Sequence, residues 1–216
     1  MTSANKIAFF FFYYSLIGGV ERVISNLISL FRKNGISVET VFSLFDANGG
    51  PALYYPPHLE FVVLGTRERR AVVDQLSRLL LEKEVRTLIF QGDNMTIALA
   101  ILEACKKAGC RGILHYHGSP YAYLRKYIYA QDISDNPINI LKLLLSKVVY
   151  PFKKRKLRKV LDRAKDGLVC VSEGTSKELR TIFRLTEKQG KNILSIHNPL
   201  TFDVPETLRA DWSQKE

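Results

Sequence analysis

With 216 residues, 46% of them hydrophobic, the chain can bury one sizeable core and is short for several ordinary domains. It holds no run of 18 uncharged apolar residues, which excludes a spanning helix, and Lys6 followed by aromatics, without a small-residue cleavage site, argues against a signal peptide. The net charge of +11 is concentrated, because 12 Lys/Arg stand against 3 Asp/Glu between Pro120 and Lys165, a pattern that points to an anionic partner or surface.

The first element is Ile7–Tyr14, an apolar run without period-2 alternation. It predicts a strand buried on both faces of a parallel sheet covered by helices. Gly18 and Gly19 follow, letting the backbone approach a ligand and leaving bare N–H groups at a helix N-terminus, where phosphate is attracted. A plain strand-to-helix turn is the alternative. An amphipathic helix is predicted over Gly19–Asn34, with Val20, Val23, Ile24, Leu27, Leu30 and Phe31 on one face and Asn34-Gly35 as its stop. Ser37–Phe45 reads as a second strand, Asp46–Pro57 as a loop, Leu59–Leu64 as a third strand and about Arg67–Glu84 as a helix.

Arg86–Gln91 is a fourth strand, and Asp93 or Asn94 caps a helix to about Ala108. Arg111–Tyr116 is a fifth strand ending in His117-Gly118-Ser119-Pro120. A long helical region follows, with Asn136-Pro137 as cap and first-turn pair and Pro151 expected to kink or break it. Gly167–Val171 is a sixth strand, Ser172 or Thr175 caps a helix to about Phe183, and Asn192–His197 is a seventh strand stopped by Asn198-Pro199. Residues Thr201–Glu216 are polar and carry no core pattern.

Strands alternating with helices predict an α/β fold, a doubly wound, mostly parallel sheet of six to seven strands with the first strand central. Ligands of such sheets lie beyond the strand C-termini. Here those ends are Ser15–Gly19, Gln91–Asn94, His117–Ser119, Ser172–Thr175 and His197–Pro199. The three cysteines, Cys105, Cys110 and Cys170, form no C-x-x-C and read as reduced packing residues. The four histidines make no ligand cluster with them, and there is no Asp-x-Asp, so no metal is expected.

The Gly18-Gly19-Val-Glu-Arg-Val-Ile-Ser-Asn-Leu stretch, the His117-Gly-Ser-Pro turn, Asp166-Gly-Leu-Val-Cys-Val-Ser172-Glu173 and Ile196-His-Asn198-Pro199 occur in that order. Together they resemble the N-terminal domain of family 4 retaining glycosyltransferases, over about residues 6–200. The resemblance implies a Rossmann-like sheet forming one half of a GT-B fold. It implies a domain over 1–200 and a tail or linker over 201–216 toward a missing C-terminal domain. That second domain would carry the nucleotide sugar and an E-x7-E signature. Glu60 and Glu68 fit the spacing but bracket the third strand, a chance match.

The resemblance assigns His117 to the catalytic rim, where a neutral imidazole can hydrogen-bond a sugar hydroxyl or steady developing charge. It assigns Gly18, Gly19, Ser172, Glu173 and Asn198 to donor or acceptor binding. Arg22, in the first helical turn, is placed to reach an acceptor anion, with a solvated helix face as the alternative. Ser172 has helix capping as its alternative role, and His115 reads as a packed core histidine. Lys153, Lys154, Arg155, Lys156, Arg158 and Lys159 follow the apolar stretch Leu141–Phe152, which suggests a helix lying on an anionic membrane surface. No nucleic-acid module is recognisable.

The function implied is the acceptor-binding half of an enzyme moving a sugar from a nucleoside-diphosphate sugar, its co-substrate, to a glycan or lipid-linked acceptor with retention. The setting expected is surface polysaccharide or glycolipid synthesis, in the cytoplasm or at the inner face of the membrane, with no other cofactor. The competing class is a non-catalytic Rossmann-like module that docks to a separate catalytic partner. A dinucleotide reductase fits less well, since the first loop lacks G-x-G-x-x-G.

Overall fold

The computed structural model describes residues 6–13, 19–45, 56–92, 94–125 and 137–197. Seven strands form one all-parallel sheet: β1 (Ile7–Tyr13), β2 (Val38–Phe45), β3 (Glu60–Val63), β4 (Thr87–Gln91), β5 (Arg111–Tyr116), β6 (Leu168–Cys170) and β7 (Ile193–Ser195). Their order across the sheet is β3-β2-β1-β4-β5-β6-β7. The unalternating run of β1 sits inside the sheet as expected. Ala8, Phe9, Phe10 and Phe11 are all fully buried because both faces of this strand are covered.

The helices are α1 (Gly19–Lys33), α2 (Arg69–Glu82), α3 (Met95–Ala108), α4 (Pro120–Arg125), α5 (Pro137–Arg163), α6 (Glu173–Phe183) and α7 (Glu187–Gly190). Parallel crossovers are right-handed, so the direction of each step decides which face its helix covers. The β1-to-β2 step runs one way and places α1 on one face, where Ile24 and Ile28 pack with Phe9, Phe11 and Val41. Every step from β3 onward runs the other way. The opposite face therefore collects α2, α3, α5 and α6 in one larger core with Phe10, Phe42, Phe90, Leu114 and Cys170. The strand order reverses between β1 and β4, the switch point beside which doubly wound sheets hold ligands.

Local chemistry sets the boundaries. Gly35 ends the α1 segment at φ 73°, and Gly109 ends α3 at φ 64°. Glu68 starts α2 by accepting from the amides of Arg70 and Ala71. Glu60 binds Lys83 at 2.6 Å, so both glutamates of the chance E-x7-E have structural work. Asn94 caps α3, accepting from Thr96 at 3.0 Å, while Asp93 lies outside the described residues. Ser172 caps α6.

Pro151 does not break the helix, since α5 runs from Pro137 to Arg163. Proline removes one backbone donor, and the rest of a 27-residue helix anchored by buried Leu157 and Val160 carries through it. Cys105, Cys110 and Cys170 are free and buried. Residues 201–216, expected as a tail, lie outside the described residues.

Candidate functional site at the strand C-termini

Beside the switch point β4 ends at Gln91, followed by Gly92, and β5 at Tyr116, followed by His117. A Cβ on Gly92 would stand 2.6 Å from Leu114 Cδ1 and 3.0 Å from Tyr116 Cδ2, so glycine leaves room there for the Leu114 and Tyr116 side chains. His115 is 6% exposed and His117 half-buried. The Nε2 of His117 and the Nδ1 of His115 are hydrogen-bonded at 3.1 Å, with ring centroids 4.1 Å apart. Burial pushes the His115 imidazole down to about 4. Burial and then the neighbouring His115 do the same to His117, also to about 4. Both rings are therefore neutral at physiological pH, and one donates to the other.

The turn after His117 is clamped from below. Ser119 Oγ donates to Glu178 Oε2 at 2.7 Å and accepts from the Ala122 amide at 3.2 Å, while the Tyr121 amide donates to the same carboxylate at 3.3 Å. Glu178 thus ties the start of α4 to α6. Sequence reasoning passed over Glu178, whose one sign was a charge on the flank of the buried stripe Thr175, Ser176, Leu179 and Ile182. Gln91 was placed at the rim by sequence but not weighed as a site residue.

Of the residues singled out in advance, Gly19 opens α1. Ser172 follows β6, next to the end of β5, where the Val171 amide donates to the Tyr116 carbonyl at 3.3 Å. Its hydroxyl accepts from the Thr175 amide at 3.2 Å, so the capping role is occupied. Glu173 is exposed and paired with Lys177 at 3.4 Å along the helix. Arg22 lies on the exposed side of α1. Gly18 and Asn198 lie outside the described residues.

The six basic residues singled out between Lys153 and Lys159 of α5 are less uniformly solvated than their sequence suggests. Lys153 donates to the Tyr123 carbonyl at 3.3 Å, and Lys156 to Thr96 Oγ1 at 2.8 Å. Lys154 and Arg158 lie over the Phe183 ring, and Arg158 also binds Asp162 at 3.0 Å. Arg155 and Lys159 are exposed. Along the same helix Val148, Val149 and Phe152 are 64%, 41% and 69% exposed. Among the described residues no helix is long and apolar enough to cross a membrane.

A cavity of about 560 Å³ lies elsewhere, near the starts of β5 and β6, lined by Arg69, Glu103, Lys106, Cys110, Arg163 and Asp166. Several of its charges hold the fold: Arg69 binds Glu103 at 2.5 Å, and Asp166 accepts from the Gly112 amide at 3.2 Å. None of the rim residues borders it. No group of three or more His, Cys, Asp or Glu that would hold a metal occurs among the described residues.

The sequence model of Glycosyltransferase Family 4 matches residues 17–200. No curated protein matches the chain. Among solved structures, the apo lipopolysaccharide outer core galactosyltransferase WaaB is 18% identical with a TM-score of 0.57, and the match covers 90% of this chain and 46% of that one. Anabaena Alr3699/HepE in complex with UDP-glucose is 12% identical with a TM-score of 0.57, over 90% of this chain and 44% of that one. A putative UDP-N-acetylglucosamine 2-epimerase from Listeria monocytogenes is 8% identical with a TM-score of 0.52, over 89% and 45%. At such identities the likeness establishes the fold, which transferases and an epimerase share. The chain spans less than half the length of each of these structures.

Proposed function

The chain belongs to Glycosyltransferase Family 4, and from that premise we propose that it is the acceptor-binding N-terminal half of an enzyme transferring a sugar from a nucleoside-diphosphate sugar to a glycan or lipid-linked acceptor, with retention at the sugar carbon. The observation that carries this reading is the neutral His115–His117 pair at the C-terminal end of β5, one strand from the switch point, beside the end of β4 and the clamped turn of α4. A neutral imidazole there hydrogen-bonds a hydroxyl and steadies charge developing on the transferred sugar. The start of α1 at Gly19 suits the donor phosphates, and the resemblance gives Gly18, Gly19 and Asn198 to donor or acceptor binding. The exposed apolar residues of α5 beside Lys147, Arg155 and Lys159 support a peripheral approach to an anionic leaflet, where a lipid-linked acceptor would be met.

Titration of the purified chain with candidate acceptors and UDP-sugars tests the division of labour. Acceptors should bind, nucleotide should bind weakly, and no transfer should occur until a nucleotide-binding C-terminal half is joined to the chain. Sugar transfer by this chain alone refutes the half-enzyme reading.

A further inference from the structure

Three polar side chains without formal charge lie on one face of the sheet at the adjoining ends of β4 and β5, beside the switch point, and one of them has nothing to bond. Gln91, the last residue of β4, is 5% exposed, and its Nε2 has no hydrogen-bond partner among the described residues. Leu88, Phe90, Leu114 and Tyr116 pack into the core under α3. Side chains alternate along strands, so Gln91, His115 and His117 take the other face, that of α1. The parallel register sets Gln91 directly beside His115, which is bonded to His117. Buried polar atoms in native proteins are almost always paired, by protein, by water or by a ligand.

The surroundings define the missing partner. Two neutral imidazoles hold two N–H groups and two lone pairs. Their mutual bond consumes one of each. The outer nitrogens, Nδ1 of His117 and Nε2 of His115, therefore offer one donor and one acceptor whichever tautomer is present. Gln91 adds a donor beside them. Phosphate and carboxylate only accept hydrogen bonds and favour cations, and none of these three groups is cationic. A hydroxyl both donates and accepts, and so uses the whole set.

We propose that Gln91 is a specificity-determining residue that donates its Nε2–H to an oxygen of a neutral sugar ring, an adjacent hydroxyl of which is held by the His115–His117 pair, with His115 positioning His117. The inference rests on the transferase reading of the same rim and names the part of the ligand read there: the sugar ring, with phosphates bound elsewhere.

The test is NMR on the chain as it stands, observing the Gln91 side-chain amide and the His115 and His117 rings. The probes are glucose, galactose and N-acetylglucosamine in turn, and inorganic phosphate. At least one sugar should shift all three side chains, and phosphate should shift none of them. Gln91→Met and Gln91→Leu, checked for an intact fold by their backbone spectra, should weaken that sugar at least tenfold. Sugar binding that leaves the wild-type Gln91 amide unmoved, wild-type affinity retained by both variants, a phosphate response at these rings, or no response to any sugar each overturns the inference. The first two leave the transferase reading standing, whereas failure of transfer by the joined enzyme while the Gln91 amide still answers to sugar overturns that reading alone.

Discussion

Lowering the pH from 7.5 to 5 should destabilise this protein through its histidine pair. Both imidazoles sit at about 4 in the folded chain against 6.5 when unfolded. The unfolded state therefore binds the extra protons first. Their contribution to stability is complete above 6.5 and is lost as pH falls toward 4. For His115, nearly fully buried, proton linkage at pH 5 favours the unfolded state about 30-fold, or about 2 kcal/mol. His117 follows the same arithmetic, but the rings repel when charged, so about 4 kcal/mol is the ceiling for the pair.

The measurement is a urea midpoint at the two pH values for wild type, His115→Asn and His117→Asn. Taking the pH difference within each protein removes the packing change of the variant, and the carboxylates contribute nearly equally to all three. Each variant should lose about 2 kcal/mol less than wild type on acidification. If all three proteins lose the same stability, the imidazoles are not held neutral by burial, and the case for an uncharged rim falls with it.

Glu178→Ala removes the acceptor of both Ser119 Oγ and the Tyr121 amide. It should cost about 2 kcal/mol by chemical denaturation, with Glu178→Gln costing less because it keeps an acceptor. Gly92→Ala forces a methyl group against Leu114 and Tyr116, and a loss of about 1–3 kcal/mol should appear as a lower thermal midpoint; an unchanged midpoint would show that the Leu114 and Tyr116 side chains make room for it. The chain should sediment with anionic liposomes at low salt and release at high salt. Replacing Lys147, Arg155 and Lys159 with Gln should weaken that binding by about 3 kcal/mol, roughly a hundredfold. Binding indifferent to salt and lipid charge would leave the basic face of α5 merely solvated.

Sequence was most legible where one-dimensional chemistry decides the outcome. The unalternating aromatic run of β1, the apolar stripe of α1 and the caps at Asn94 and Ser172 are local signals, and the elements begin where those signals stand. Arg111–Tyr116 was read residue for residue. The alternation of strands and helices with a first strand buried on both faces made the doubly wound sheet readable as well. What escaped depends on lateral contacts. Glu178 meets Ser119 across 59 positions, and Lys156 meets Thr96 across 60. No spacing rule shows either pairing, so the basic block of α5 read as six free cations when several are tied to the protein. The unpaired amide of Gln91 was equally invisible, since it follows from what stands beside the strand end and not from the residues along it. Pro151 does not break α5, because a local breaking tendency is weaker than the burial that anchors the C-terminal half of the helix.

The interior place of β1 also has a consequence for the order in which the chain is made. Its two partners both follow it in sequence but at very different distances: β2 begins at Val38, whereas β4 begins at Thr87. At ribosomal rates of about 5–20 residues per second, the interval from Ile7 to Thr87 corresponds to roughly 4–16 s of synthesis. Throughout it the edge of β1 that β4 will cover, and the phenylalanines packed around it, have no neighbour on that side. An open strand edge in an aromatic segment is a template for unwanted pairing. The nascent chain therefore passes through a window in which Phe9–Phe12 is its most aggregation-prone surface. Synthesis on the ribosome, with slow release and chaperone cover, should give more soluble protein than dilution of the full chain from denaturant.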